Sequence, residues 1–192
     1  MEGYFLFNLC YLAEARSGFE IGTGSGYSAL WLSAGIVDAS GTQGWFGSMD
    51  DHSEGGIGDA GHEFATRAIL ELGFENTVRL FVGTSPSDVQ RFLDGRTLDV
   101  VFIDGNHHGE HPIADYEALK PYLEESAIII WHDVHPSYRT PAAVAHARED
   151  GFHTDVFATS CRIAVSWRVP SRRPMIMKAF EDARRLKLSE IA

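Results

Sequence analysis

The sequence predicts an α/β domain with a mainly parallel sheet, and three observations lead to this fold class. Apolar segments alternate with helical patterns along the whole chain. Residues 98–103 and 127–131 are almost continuously apolar, as expected for strands buried at the centre of a parallel sheet. A glycine-rich turn at residues 22–26 joins the first predicted strand to a helix. The 192 residues suffice for one core and contain no interdomain linker, so we expect a single domain over residues 1–192.

The elements follow in chain order from periodicity, length and turn residues. The predicted helices cover residues 2–16, 27–34, 59–72, 85–93, 113–123, 141–149 and 175–188. The predicted strands cover residues 18–21, 45–49, 78–82, 98–103 and 127–131. Residues 155–158 and 163–169 are expected to pair as a hairpin that adds an antiparallel edge to the sheet. Gly73 is a predicted helix C-cap, and Thr140 is a predicted N-cap.

Composition narrows the class of partner. The formal net charge is -11 and the sequence has no long basic run, so nucleic acid is not expected as a partner. No apolar run is long enough to span a bilayer, and the first residues lack a secretory pattern, so we expect no membrane association. Cys10 and Cys161 are far apart and form no metal-type pair. A reduced, cytoplasmic chain is therefore the expectation.

The glycine-rich turn is preceded by an acid. Glycines let a backbone turn sharply and lie close to a ligand, although dinucleotide enzymes use such turns too. Glu20 stands before the glycines, where a carboxylate would repel a pyrophosphate but suit a cationic sulfonium amino acid. The G-x-G-x-G spacing also differs from G-x-G-x-x-G. Asp50, or its neighbour Asp51, ends the second predicted strand, where a carboxylate can accept both ribose hydroxyls. The spacing between Glu20 and Asp50 is longer than the usual spacing of about twenty residues, and we attribute the difference to an insertion at residues 38–43.

A second set of polar residues follows the two central strands. Asp104 ends one strand, and His132 and Asp133 end the other. In open α/β sheets the ligand crevice lies beyond the carboxyl ends of the strands, so both groups are expected to face one crevice. Carboxylate oxygens suit hard divalent ions, whereas imidazole suits softer ones.

Four motifs together resemble one known family. The segment FEIGTGSGYSALWLSAG resembles motif I of the class I S-adenosylmethionine-dependent methyltransferases. The segments VRLFVGTS, VVFIDGNHHGEHPIADYEALKPYL and AIIIWHDVHP follow in the order and spacing of the branch that holds the catechol O-methyltransferase-like and natural-product O-methyltransferases. The similarity runs from about Glu2 to Val169. It implies a Rossmann-like, doubly wound, seven-stranded sheet with an antiparallel C-terminal hairpin.

The resemblance implies S-adenosylmethionine as the cofactor and assigns residues to each of its parts. Glu20 and Gly22 would hold the methionine end, Asp50 the ribose, and Ser85 would lie by the adenine. The amides at the start of the second helix would meet the cofactor's carboxylate. The full implied set is Glu20, Gly22, Thr23, Gly24, Tyr27, Ser28, Asp50, Asp51, Ser85 and Asp104.

The resemblance also implies a divalent metal, Mg²⁺ or a similar ion, on Asp104, His132 and Asp133. His132 departs from the acid or amide of many relatives, which would favour Mn²⁺, Fe²⁺, Co²⁺ or Zn²⁺, or a reaction without metal. The implied catalytic residues are Asp104 and His107, the latter as general base, because imidazole titrates near neutrality. Three further histidines are rivals for that role, namely His108, His111 and His135. Asn106 replaces the usual acid of the family's FIDGDH pattern.

The expected function is methyl transfer to a hydroxyl of a small molecule such as a phenol, a vicinal diol or a sugar. The resemblance also implies more helices before motif I than this sequence shows, so either the pocket is unusually open or a partner subunit of a homo-oligomer closes it. Residues 51–58 and 134–140 are the candidates for a lid. The apolar first helix also favours a homo-oligomer. Three alternatives stay open: a metal-independent methyltransferase, a non-catalytic binding module and a nicotinamide oxidoreductase.

Overall fold

One seven-stranded sheet organises the residues that this computed structural model describes, which are 1–51 and 58–189. In chain order the strands are β1 (Ser17–Ile21), β2 (Trp45–Asp50), β3 (Val78–Val82), β4 (Leu98–Ile103), β5 (Leu123–Trp131), β6 (His153–Val156) and β7 (Ala164–Trp167). Their order across the sheet is β3-β2-β1-β4-β5-β7-β6. Strands β1 to β5 pair in parallel, whereas β7 runs antiparallel to both β5 and β6. The predicted sheet and its antiparallel C-terminal hairpin are confirmed.

Helices cover both faces of this sheet. They are α1 (Glu2–Leu12), α2 (Tyr27–Ser40), α3 (Gly58–Leu72), α4 (Val89–Leu93), α5 (His111–Leu119), α6 (Thr140–Glu149) and α7 (Arg172–Ser189). Side chains of α1, α2 and α7 pack into a core on one face, and side chains of α4, α5 and α6 pack into a second core on the other face. This is the doubly wound, Rossmann-like architecture that the motifs indicated.

The central strands contribute to both cores at once. Val100 and Phe102 of β4 belong to the core under α1, α2 and α7, whereas Val101 and Ile103 belong to the opposite core. Successive side chains of a strand point to opposite faces, so a strand buried on both faces must be apolar without interruption. Residues 127–131 of β5 expose none of their surface. The apolar runs therefore predicted β4 in full and the buried end of β5, which begins four residues before the predicted strand, at Leu123.

Helix α1 packs against both α2 and α7. A Cβ atom at Gly35 of α2 would lie 2.4 Å from the carbonyl oxygen of Phe7, so glycine allows the two helices to approach closely. The predicted helix end at residue 34 and the predicted insertion loop at residues 38–43 are wrong. Gly35 serves packing rather than termination, and α2 continues to Ser40 before a 3₁₀ turn, Gly41–Gln43.

The apolar first helix was one reason to expect an oligomer. The structure buries Phe5, Leu6, Leu9 and Cys10 of α1 within the chain, while Tyr11 stays 47% exposed. Packing inside the chain thus accounts for most of the apolar surface of this helix. The homo-oligomer remains a prediction.

The two predicted helix caps have different outcomes. Gly73 has a φ of 73° and its N–H donates to the carbonyl oxygen of Leu70 at 3.1 Å, which confirms it as the end of α3. Thr140, in contrast, is the first residue of α6, and Arg139 occupies the N-cap position. The Thr140 hydroxyl is buried and makes no hydrogen bond within the described residues, so the predicted cap is wrong.

No helix within residues 1–51 and 58–189 combines the length and the apolarity that crossing a membrane requires. Of the two segments predicted as lids, residues 134–140 are described, whereas residues 52–57 of the other segment lie outside the described part of the chain.

Gly22 lies where the ends of β1, β2 and β4 meet. Its N–H donates to the carbonyl oxygen of Met49 at 2.9 Å, and the N–H of Asp104 donates to the carbonyl oxygen of Ile21 at 2.9 Å. Gly22 has a φ of 100°, and a Cβ atom there would lie 2.2 Å from the backbone oxygen of Asp104. Both the backbone angle and the space require glycine at this position.

Replacement Gly22→Ala is expected to lower the free energy of unfolding by more than ~2 kcal/mol, because the added methyl group meets backbone that cannot move aside and φ is strained. Gly24→Ala is the matched control, since Gly24 also has a positive φ, 50°, but has open space around its Cβ position. The control should cost only about 1–2 kcal/mol of left-handed strain. Urea unfolding followed by circular dichroism measures both, and equal losses would contradict the steric account.

Candidate functional site

A cavity of about 890 Å³ lies at the carboxyl ends of the parallel strands, where α/β sheets bind ligands. It brings together residues that the sequence placed in separate motifs. The predicted site residues that line it are Gly22, Thr23, Gly24, Tyr27, Ser28, Asp50, Asp51, Ser85, Asp104, His107 and His132. Glu20 and Asp133 do not belong to this lining: Glu20 is fully buried, whereas the Asp133 side chain is 29% exposed.

The glycine turn forms one wall of the cavity and leads into α2. Gly26 adopts a left-handed conformation, with φ 82°, and Tyr27 begins the helix as predicted. The amides of the first turn of a helix have no partner within the helix, and they carry partial positive charge. This wall can therefore accept a carboxylate group from a ligand.

Glu20 lies beneath this wall and has no exposed surface. One carboxyl oxygen accepts a hydrogen bond from the hydroxyl of Ser28, and the other accepts one from the hydroxyl of Ser48 at 2.5 Å. Burial raises the pKa of Glu20 to about 8, although the two serine hydroxyls act in the opposite direction. Ser28 lies between Glu20 and the cavity. Glu20 can therefore act on a ligand through its hydrogen bond with Ser28, but it cannot contact the ligand directly.

Asp50 stands at the end of β2, on the cavity wall next to the glycine turn. Its Oδ2 accepts a hydrogen bond from the N–H of Gly24 at 2.8 Å, which ties the end of β2 to the turn. Asp51 also lines the cavity and is exposed. Both acids that the sequence offered for a ribose are thus in reach of the same space.

Ser85 lies on the cavity wall that follows β3. It is hydrogen-bonded to Asp115, a residue of the site that could not be identified from the sequence. Its hydroxyl donates to Oδ1 of Asp115 at 2.5 Å. Asp115 belongs to α5, lines the cavity and is almost fully buried. Burial raises its pKa to about 6, against the effect of the Ser85 hydroxyl. The available signal was an acid inside a predicted helix, between apolar neighbours that pack on the sheet.

Two acids and two histidines meet on the opposite wall. Nδ1 of His132 lies 2.8 Å from Oδ1 of Asp104 and 3.7 Å from Oδ2 of Asp133. Nε2 of His107 lies 3.4 Å from Oδ1 of Asp104 and 3.3 Å from Oδ2 of Asp133. Asp133 holds its place with a φ of 50°, a left-handed conformation that is uncommon outside glycine. The predicted base therefore lies among the predicted metal ligands.

Charge pairing sets the protonation of this group. Burial acts to raise the pKa of Asp104, but the imidazoles of His107 and His132 beside it, and their charges, hold it below its usual range. Burial acts to lower the pKa of His132, but Asp104 beside it, together with the charges of Asp133 and Glu2, holds it above its usual range. The ionised Asp104 carboxylate and the charged His132 imidazole thus stabilise one another.

The group also meets a geometric test for a metal. The Nδ1 atom of His132 is buried and, despite its 2.8 Å approach to Asp104, makes no hydrogen bond of acceptable angle in the described residues. The ligand atoms of Asp104, His107, His132 and Asp133 all lie within 4.8 Å of one another. Neighbouring ligands about 2.1 Å from one octahedral ion lie about 3 Å apart, close to the separations seen here. The donor set therefore fits a divalent ion.

Segment 134–140 packs against the His107 side of this group. The N–H of Arg139 donates to the carbonyl oxygen of His107 at 2.9 Å, and the Tyr138 ring lies 5.2 Å from the His107 ring. The rival histidines are separated by position: His108 and His111 line the cavity, whereas His135 is exposed and its Nδ1 bonds the hydroxyl of Ser137.

Glu2 and Cys161 were also missed by the sequence analysis. Glu2, on α1, lines the cavity, and its Oε1 accepts a hydrogen bond from the N–H of Cys161 at 3.0 Å. These residues are at opposite ends of the sequence, so no spacing rule links them to each other or to His132.

Comparison with known proteins places the chain in a family. A family model described as a methyltransferase domain matches residues 19–134. A protein of Mycobacterium sp. (strain JLS), described as a "Putative O-methyltransferase", is 32% identical over 130 residues, covering 67% of this chain and 53% of that protein. The chain thus spans about half the length of this curated relative.

Solved structures share the fold. An O-methyltransferase from Bacillus cereus in complex with SAH superposes with a TM-score of 0.68 at 21% identity, covering 86% of this chain and 80% of that one. The O-methyltransferase TomG from Streptomyces achromogenes, in complex with SAM, gives 0.66 at 20% identity, covering 88% and 79%. The family model matches more than half of this chain. The chain therefore belongs to the methyltransferase-domain family, a class I S-adenosylmethionine-dependent methyltransferase family, as its motifs indicated.

Proposed function

We propose that this chain transfers the methyl group of S-adenosylmethionine to a hydroxyl oxygen of a small molecule. One observation carries the proposal: a single cavity joins the glycine turn to the group of Asp104, His107, His132 and Asp133. The family membership and the SAM and SAH complexes of proteins with the same fold support the cofactor. The volume of the cavity, about 890 Å³, suits a cofactor together with a small acceptor.

The cofactor would extend along the first wall. Its carboxylate would meet the amides at the start of α2, its ribose would meet Asp50, and its adenine would lie by Ser85. Its sulfonium would then lie between the glycine turn and Asp104. The acceptor would occupy the space beside His107 and His132, which places a hydroxyl in line with the methyl group.

The chemistry is a displacement at the methyl carbon. The acceptor oxygen forms a bond to the methyl carbon while the carbon–sulfur bond breaks, and the electron pair of that bond stays on sulfur. His107 takes the hydroxyl proton at Nε2. The carboxylates of Asp104 and Asp133, 3.4 and 3.3 Å from this nitrogen, stabilise the imidazolium that results. The products are a methyl ether and a neutral thioether.

Metal assistance is part of the proposal. Asp104, His132 and Asp133 would hold the ion, since their ligand atoms converge and His132 Nδ1 lacks another hydrogen-bond partner in the described residues. A divalent ion at this place supplies Lewis-acid stabilisation of the charge that develops on the acceptor oxygen. A metal-independent reaction is the second candidate. It is favoured by the two carboxylates that already flank His107, which provide the charge stabilisation that a base needs.

The cofactor assignment is tested at Asp50. Replacement Asp50→Ala should weaken S-adenosylhomocysteine binding by roughly 10- to 10²-fold, since each charge-assisted bond to the ribose contributes roughly 1.5–3 kcal/mol. Asp50→Asn keeps an oxygen that can accept the hydrogen bond from the Gly24 N–H but removes the negative charge. It therefore separates the effect of losing this hydrogen bond from the effect of losing the charge. Isothermal titration calorimetry at constant ionic strength measures both variants. If Asp50→Ala leaves the affinity unchanged and Asp51→Ala lowers it, the ribose contact belongs to Asp51 instead.

The metal assignment is tested at Asp133. Replacement Asp133→Ala should weaken Mn²⁺ binding by at least ~10-fold, because an oxygen ligand is lost, while S-adenosylhomocysteine affinity stays within about twofold. Electron paramagnetic resonance of free Mn²⁺ gives the first value and calorimetry gives the second. Methyl transfer by the wild-type protein should stop in excess chelator. Full turnover in chelator would select the metal-independent reaction.

The base is tested at His107. Replacement His107→Ala should lower turnover by roughly 10²–10⁴-fold, the usual contribution of a positioned base. High pH should partly restore the rate, because the acceptor hydroxyl then ionises without help. His108→Ala is the control, since His108 lines the same cavity without contacting either acid in the described residues. Normal turnover of the His107 variant at neutral pH would show that another group takes the proton.

A further inference from the structure

A second group of ligand atoms lies beside the first and shares one residue with it. Glu2 of α1, His132 at the end of β5 and Cys161 in the turn between β6 and β7 place a carboxylate oxygen, an imidazole nitrogen and a thiol sulfur within 4.8 Å of one another. All three side chains are partly buried. Three separate elements thus bring three different donor types to one point.

Cys161, which carries the thiol, also holds the Glu2 side chain in place. Oε1 of Glu2 accepts a hydrogen bond from the backbone N–H of Cys161 at 3.0 Å. Burial acts to raise the pKa of this carboxylate, but the Cys161 N–H and the nearby hydroxyls of Thr159 and Ser160 hold it below its usual range. The turn between β6 and β7 therefore holds the carboxylate and the sulfur next to each other.

The ligand atoms of Glu2, His132 and Cys161 favour a different class of metal ion from the carboxylates of Asp104 and Asp133. Thiolate, imidazole and carboxylate are the ligands of Zn²⁺ and similar thiophilic ions, whereas Asp104 and Asp133 offer oxygen to hard ions. Ligands of one tetrahedral ion lie about 3.3–3.7 Å apart, so the group needs side-chain shifts of only about 1 Å to close on an ion. Glu2 and His132 line the cavity, which gives an ion a route of entry.

We infer that Glu2, His132 and Cys161 form a second metal site, specific for thiophilic divalent ions such as Zn²⁺ and Cd²⁺. Binding forms a sulfur–metal bond and releases the thiol proton to solvent. His132 belongs to both groups, and two divalent ions at one imidazole repel each other. We therefore expect an ion here to weaken the binding of a hard ion there. The inference concerns metal binding alone and stands independently of the proposed methyl transfer.

Cadmium is the probe, because a cadmium–thiolate bond gives an ultraviolet charge-transfer band. Titration of the wild-type protein with Cd²⁺ should give a band that saturates at one ion per chain. Cys161→Ser should abolish the band. Cys10→Ser is the matched control and should keep it, because Cys10 is fully buried in the core and has no ligand partner among the described residues.

The other two ligands are tested separately, so the result does not depend on one variant. Glu2→Gln and His132→Gln should each weaken Cd²⁺ binding by at least ~10-fold, as expected for loss of a ligand. Thermal unfolding of each variant checks that the fold is retained. A band that persists in Cys161→Ser, or Cd²⁺ affinity that is unchanged in both the Glu2 and His132 variants, would overturn the site.

Sharing of His132 is measured by competition. Saturating Cd²⁺ should weaken Mn²⁺ binding to the wild-type protein by at least ~10-fold and should have no effect on Mn²⁺ binding to Cys161→Ser. Equal Mn²⁺ affinity with and without Cd²⁺ in the wild-type protein would show that the two groups do not share this histidine. Neither measurement uses S-adenosylmethionine or an acceptor, so failure here leaves the proposed function untouched.

Discussion

The close approach of two backbones at Gly22 is the constraint on which the site depends. The ends of β1 and β4 come together there, with a positive φ at Gly22 and no room for a side chain against the backbone oxygen of Asp104. This contact sets the distance between the glycine turn and Asp104. Both halves of the cavity, the wall that ends in α2 and the wall of acids and histidines, are therefore aligned by main-chain atoms rather than by side-chain packing. An alignment of this kind is insensitive to rotamer changes.

The parts of the fold that the sequence predicted well are those in which local pattern and tertiary structure agree. Strands β3 and β4 have the predicted limits. For β4 the reason is a nearly continuous apolar run between turn residues, which is typical of a central strand in a parallel sheet. Gly35 shows the opposite case. Locally it favours the end of a helix, but the packing of α1 against α2 requires it in the middle of one. Thr140 has the residue type of a cap, yet α6 begins one residue earlier than a cap at this position would allow.

The candidate site divides in the same way. Residues at the ends of strands could be assigned from sequence, since parallel strands carry their carboxyl ends to one edge of the sheet. Residues that reach the site from other elements could not. Asp115 comes from a helix face, and Glu2 and Cys161 meet only because α1 packs near the turn between β6 and β7. The resemblance assigned His107 as the base beside Asp104, but its contact with Asp133 could not be read from the sequence, because it depends on how segment 134–140 folds back onto the loop after β4.

The buried carboxyl of Glu20 has a consequence for the thermodynamics of a reaction cycle. With a pKa of about 8, this group holds a proton at neutral pH when no ligand is near. In the proposed arrangement the sulfonium lies between the glycine turn and Asp104, whose charge also acts on Glu20. The positive charge of the sulfonium would favour the ionised carboxylate, so cofactor uptake would release a proton. Methyl transfer removes that charge from sulfur, and the carboxyl would then regain its proton. Under the proposed function, cofactor and product thus differ in the number of protons that accompany them, and their relative affinities shift with pH.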